Sequence, residues 1–140
     1  MDFSYFSSEE EYVADVQKVA RGMLQHGVTA FCPTIITSQK DFYSRALPLL
    51  KPRRGGADGA TCLGAHLEGP FMSDKKCGCH PPELILSSFR ANKLEDVYGG
   101  DFSNVCLVTL APELEGALEA VELLNSKGVA VSMVSCCFSV

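Results

Sequence analysis

A chain of 140 residues, 46% hydrophobic and 21% charged, has the composition of one soluble globular domain and is long enough to bury roughly two-thirds of its unfolded surface. A net charge of −5 with dispersed lysines and arginines argues against a nucleic-acid partner, and no apolar run reaches the ~20 residues of a membrane-spanning helix. Seven cysteines, an odd number, and no secretory signal at the start point to reduced thiols and a cytoplasmic protein.

Ser8 followed by Glu9, Glu10 and Glu11 predicts a helix start with a capping box and acidic charge in its first turn. Val13, Val16, Ala20, Met23 and Leu24 continue at helical spacing to a stop at Gly27, with His26 suited to the helix dipole there. Val28–Cys32 is β-branched and aromatic and reads as a strand, which Pro33-Thr34 either ends or passes on to Ile35 and Ile36. Ser38 and Asp41 suggest a second capped helix through Phe42, Ala46, Leu47 and Leu50, with Pro48 inside or at its end. A Gly-rich connector, 55–59, leads to the apolar run Thr61-Cys62-Leu63-Gly64-Ala65 and the hexapeptide His66-Leu67-Glu68-Gly69-Pro70-Phe71. The run reads as a buried strand that Gly-Pro ends. Alternation puts Gly64, His66 and Glu68 on one side and Leu63, Ala65 and Leu67 on the other.

A short helix is expected between Pro81 and Asn92, with Leu84, Ile85, Leu86 and Phe89 inside. Val105–Leu110 is the next strand. Pro112 opens a helix with Leu114, Leu118, Val121 and Leu124 on one face and Gly128 as its cap. Val129–Val134 is the fourth strand. Strands alternating with helices imply a parallel sheet. It is either a small doubly wound sheet or part of a (β/α) barrel, whose complete form takes roughly 250 residues. The chain opens without a strand and closes on an uncovered one, which favours the second. The expectation is a single partial TIM-type barrel domain over residues 1–140, with about four βα units and parallel strands in chain order.

Taken alone, Glu68 is a carboxylate at a strand end that either pairs with a lysine or arginine or works at a site. His80, in the loop Met72–Pro81, reads alone as a solvated loop histidine. His66 reads as a hydrogen-bonding core group. Lys75 and Lys76 could attract an anion or simply be solvated. Cys77, Cys79 and His80 lack the spacing of a zinc knuckle. Cys32, Cys62 and Cys106 lie in strand-like runs as small buried hydrophobes. Cys136 and Cys137 are adjacent and unlike a disulfide pair.

These segments together resemble N-acetylglucosamine-6-phosphate deacetylases of the amidohydrolase superfamily. The resemblance runs from Asp2-Phe3-Ser4 to about Met133. It rests chiefly on His66 to Phe71, supported by Gly27-Val28-Thr29 with Pro33-Thr34, by 76–81, by Leu110–Glu113 and by 128–132. It implies a metal-dependent barrel that hydrolyses an N-acetyl amide in amino-sugar catabolism. It makes Glu68 a ligand of a divalent metal cation, zinc being a candidate, and Cys79 and His80 contacts to an amino-sugar phosphate. A homodimer would follow the family. The resemblance also puts a metal-binding histidine where Ser135 stands and a catalytic aspartate beyond Val140, so no catalytic residue is assigned. The expectation is a segment truncated at both ends and inactive alone. The alternative is a non-catalytic product that binds a full-length subunit or another partner through open sheet edges.

Overall fold

A computed structural model describes residues 1–76 and 78–134. Cys77, Ser135, Cys136 and Cys137, each the subject of an expectation above, lie outside them. Helix α1 spans Glu9–Gln25. The Ser8 hydroxyl accepts the Glu11 N–H at 3.2 Å, as a cap should. Its buried stripe is Tyr12, Val16 and Ala20, and Met23 and Leu24 pack against the core as expected, whereas Val13 is exposed and Tyr12 takes its place. Gly27 and Val28 turn their N–H groups back to Leu24 and Met23, which closes the helix as its glycine predicts.

The first expected strand is two short ones, β1 (Ala30–Phe31) and β2 (Thr34–Ile36). The His-Leu-Glu strand is likewise β3 (Thr61–Cys62) and β4 (Ala65–Glu68). The two interruptions face each other, because β1 pairs with β3 and β2 with β4. Pro33 has no N–H to give, and Gly64 sits at φ +111. A Cβ on Gly64 would lie 2.8 Å from the Asn104 carbonyl oxygen. The kink turns Leu63 into solvent, so the expected alternation holds from Ala65 onward and not before it.

Helix α2 (Lys40–Ala46) follows β2. Gln39 is its N-cap, without a side-chain cap; the Ser38 hydroxyl instead donates to Ile36 O, so the expected Ser38–Asp41 box does not form. Pro48 lies in a 3-10 turn, Leu47–Leu49, that ends the helix.

The expected helix between residues 81 and 92 is replaced by one 3-10 turn, Pro82–Leu84. Ile85 then becomes extended, and Leu86 gives its N–H to Pro70 O. The Ser88 hydroxyl accepts from the Arg90 and Ala91 N–H groups, a local alternative to helical bonding. The helix forms later, as α3 (Leu94–Tyr98), with Leu94, Val97 and Tyr98 buried. Strand β5 is Val105–Leu110. Helix α4 (Ala117–Ser126) begins five residues after Pro112, because residues 111–117 close as turns from Ala111 O to Leu114 N–H and from Leu114 O to Ala117 N–H. That start shifts the helical face, so Leu118 is exposed while Ala117, Ala120 and Leu124 are buried. Strand β6 is Ala130–Met133.

The larger sheet has the order β2-β4-β5-β6, all parallel, which is the expected chain order. Ile35, Leu67 and Val108 align across it and are fully buried. They join residues of α1, α2, α3 and α4 in one apolar cluster. The opposite face carries Thr34, Ile36, His66, Glu68, Leu107 and Thr109 by register. Among the described residues no helix is long and apolar enough to cross a membrane.

Candidate functional site

Glu68 is the last residue of β4, at the carboxyl end of a parallel sheet, where α/β folds place ligands. Two tyrosine hydroxyls fix the chain just past it. The Tyr98 hydroxyl donates to Gly69 O at 2.9 Å, and the Tyr43 hydroxyl does so at 3.5 Å while accepting the Ser38 N–H. Burial holds the Tyr98 phenol well above its ordinary pKa, so it remains a donor. Phe71 stacks on Phe89 and gives its carbonyl to the Ala111 N–H. These contacts anchor both ends of the turn from which the loop departs.

The loop returns to the sheet at His80. Its ring is 6% exposed, not solvated as its position alone suggests. Nδ1 lies 2.8 Å from Thr37 Oγ1 and accepts the Thr37 N–H at 3.3 Å. Nε2 is 3.8 Å from Glu68 Oε1. The structure thus brings Glu68 and His80 together across twelve residues of chain. Among the described residues the titratable neighbour recorded for Glu68 is this histidine and no lysine or arginine. Cys79 is a free thiol, exposed on the loop. Lys75 is exposed in a 3-10 turn, Asp74–Lys76.

His66 shares the open face with Glu68, as alternation predicts. Its Nδ1 meets Thr34 Oγ1 at 3.0 Å, and its Nε2 meets Thr109 Oγ1 at 2.7 Å. The ring therefore ties β2, β4 and β5 together. Burial lowers its pKa, against an opposing pull from the Glu68 carboxylate. Both ring nitrogens being engaged, His66 acts as a structural hydrogen-bonding group, which agrees with its sequence reading.

The cysteines behave as expected hydrophobes with one refinement. Cys62 is buried, and Cys32 and Cys106 are half-buried free thiols. Cys106 Sγ is 3.0 Å from Cys32 Sγ, and burial pushes its thiol up to about 12. Cys106 Sγ also reaches Gly64 O at 3.2 Å and Ala65 O at 3.3 Å, beside the interruption between β3 and β4. A separate cavity of about 300 Å³ between Phe89, Leu94, Ala120 and Leu123 lies away from Glu68. Its Arg90 already faces Glu115 and Glu119, so it offers little free charge to a ligand.

Sequence reading missed Thr37, Tyr43 and Tyr98. Tyr98 is marked by the Leu94-Val97-Tyr98 spacing of a short buried helix. Thr37 carries a fainter mark, a polar residue that continues the apolar strand β2.

No protein-family model matches the chain. It is 50% identical over 137 residues to the N-acetylglucosamine-6-phosphate deacetylase of Caenorhabditis elegans, covering 95% of this chain and 32% of that protein. The Rattus norvegicus protein of the same name is 47% identical over 135 residues, with the same coverage of 95% and 32%. Among solved structures, a mutant N-acetyl-D-glucosamine-6-phosphate deacetylase from Mycobacterium smegmatis, in complex with N-acetyl-D-glucosamine-6-phosphate, superposes with a TM-score of 0.66 at 27% identity. That match covers 97% of this chain and 34% of the other. The chain spans about a third of the length of the curated relatives it matches. In sequence and in fold alike, this chain is similar to the N-acetylglucosamine-6-phosphate deacetylases over about one third of their length.

Proposed function

We propose that this chain forms one wall of an amide-hydrolysing site that acts on N-acetylglucosamine 6-phosphate, releasing acetate and glucosamine 6-phosphate. The single observation that carries the reading is the convergence of the Glu68 carboxylate and His80 Nε2, 3.8 Å apart, at the carboxyl end of β4. The relatives named above supply the reaction class. The wall belongs to a (β/α) barrel in which residues 1–140 supply about four βα units as one partial domain. The parallel order β2-β4-β5-β6 supports that placement, and so does the half-covered face bearing His66 and Glu68.

In this reading His80 holds a substrate oxygen, Cys79 lies beside it on the loop, and exposed Lys75 draws in the anionic sugar phosphate. Glu68 is the arm this chain would extend to a divalent metal cation. Its carboxylate is half-exposed and, among the described residues, faces His80 and no lysine or arginine, which leaves it open to a metal ion. Yet among the described residues no group of three or more His, Cys, Asp or Glu could hold a metal ion. A protein zinc centre takes three or four such ligands. The described residues alone therefore do not build the centre.

The purified 140-residue chain is accordingly expected to release no acetate from N-acetylglucosamine 6-phosphate. With residues 1–133 alone exchanged for the matching segment of the Caenorhabditis elegans relative, so that the relative keeps its own residue at the Ser135 position, the hybrid is expected to support turnover. Acetate release by both proteins is the measurement. Turnover by the lone chain, or a folded but inactive exchange protein, would count against the reading.

One observation favours a second reading. Strand β6 lies at the edge of the sheet and ends at Met133, 64% exposed. An edge with an apolar side chain outward suits pairing with another chain, such as a full-length subunit. Co-purification with the intact relative, together with an inactive exchange protein, would support that partner role instead.

A further inference from the structure

We propose that Thr37 is a positioning residue that commits His80 to its Nε2–H form, so that His80 meets a ligand only as a hydrogen-bond donor. Thr37 is 2% exposed and packs against a ring that is itself buried. Two Thr37 groups converge on Nδ1, the backbone N–H at 3.3 Å and Oγ1 at 2.8 Å. A hydroxyl can donate or accept, but a backbone N–H can only donate. Nδ1 must therefore present its lone pair, and the hydrogen of the neutral ring sits on Nε2.

The contrast with His66 isolates the point. Both His66 nitrogens meet threonine hydroxyls, which can serve either tautomer. Only His80 faces a fixed donor. Its Nε2 points toward Glu68 Oε1 at 3.8 Å, beyond hydrogen-bond distance. The Nε2–H thus remains available to an incoming oxygen. A ring locked in this form cannot accept a proton from a ligand hydroxyl at Nε2. It can donate to a carbonyl or hydroxyl oxygen. The neighbouring Glu68 carboxylate disfavours an anionic oxygen at the same spot, which places the phosphate elsewhere in the site. Thr37 is the last described link in this arrangement: it follows β2, whose Thr34 and Ile36 are paired in register with His66 and Glu68. The sheet thereby sets the distance between donor and ring.

The donor role rests on the proposed function, whereas the tautomer does not, and nitrogen NMR reads the tautomer without any turnover. The full chain is labelled with [15N]histidine, and its three histidines are assigned by His80→Gln and His26→Gln. At a pH where the ring is neutral, His80 Nδ1 is expected to resonate as a bare nitrogen and Nε2 as a protonated one. Thr37→Ser should keep both signals in place. Thr37→Val removes the hydroxyl but keeps the backbone N–H, so Nδ1 should stay bare and Nε2 protonated, with Nδ1 moved only by the lost hydroxyl bond. Thr37→Ala removes the same hydroxyl and serves as the second variant where Thr37→Val loses the amide dispersion of the wild type. A proton on Nδ1 in the wild type overturns the proposal. A second tautomer populated in a folded variant lacking the hydroxyl overturns it too, because the backbone N–H is still there to hold Nδ1.

Discussion

Gly69→Ala is expected to destabilise the chain by about 3 kcal/mol or more and to separate Thr37 from His80. Two independent costs add here. Gly69 sits at φ +81, a left-handed conformation that a Cβ disfavours by roughly 1–2 kcal/mol. The added Cβ would also collide with Thr37 Oγ1 and crowd Met72 Cγ at 3.1 Å and His80 Nδ1 at 3.4 Å. None of these groups has free space to enter. Thr37 is held in the core, and His80 is wedged between it and Glu68. The backbone cannot yield easily either, because the Tyr98 hydroxyl holds Gly69 O at 2.9 Å. Overpacking of a closed site costs typically ~1–3 kcal/mol, so the sum is a large part of the roughly 5–15 kcal/mol of a small domain. Urea unfolding of both proteins measures the loss, and histidine NMR of the variant reads the Thr37–His80 contact. A loss below about 1 kcal/mol with His80 signals unmoved would show that the turn is more pliant than its contacts imply.

The same turn marks where sequence reading succeeded and where it stopped. A period of two placed His66 and Glu68 on one face, and β-branched runs between helical stretches gave the parallel order. Both signals are local, and both hold because one sheet face must be buried. The splits at Pro33 and Gly64 were not legible, since they depend on two distant interruptions lying side by side. The region after Pro81 misled for a related reason. Leu84, Ile85, Leu86 and Phe89 have helical spacing, but Leu86 spends its N–H on Pro70 O, a partner that tertiary folding supplies. The approach of His80 to Glu68 depends on the whole path of the loop, for which no periodicity exists. His80 was found by resemblance to a family, and Thr37, whose role comes only from its contact with His80, was not found at all.

Glu68→Gln carries the largest functional effect. In the exchange protein described above, it is expected to lower kcat/KM for N-acetylglucosamine 6-phosphate on the order of 10²-fold or more. The substitution is nearly isosteric and sits at the half-exposed end of β4. It removes no buried ion pair: the Glu68 neighbour His80 lies 3.8 Å away, and its ring is held by Thr37 on the far side. The fold should therefore keep its melting temperature to within a few degrees, since a surface change is generally worth less than about 0.5 kcal/mol. What changes is charge. A carboxylate attracts a divalent cation and a carboxamide does so weakly, and outer-shell changes at such centres already cost roughly 10–100-fold. Loss of a direct ligand should exceed that and should lower the bound metal, measured by elemental analysis on the same sample. A variant that keeps wild-type turnover and metal content would remove Glu68 from the site. A variant that loses turnover while keeping its metal would leave the carboxylate with a substrate-facing role beside His80, and would move metal binding to residues other than Glu68.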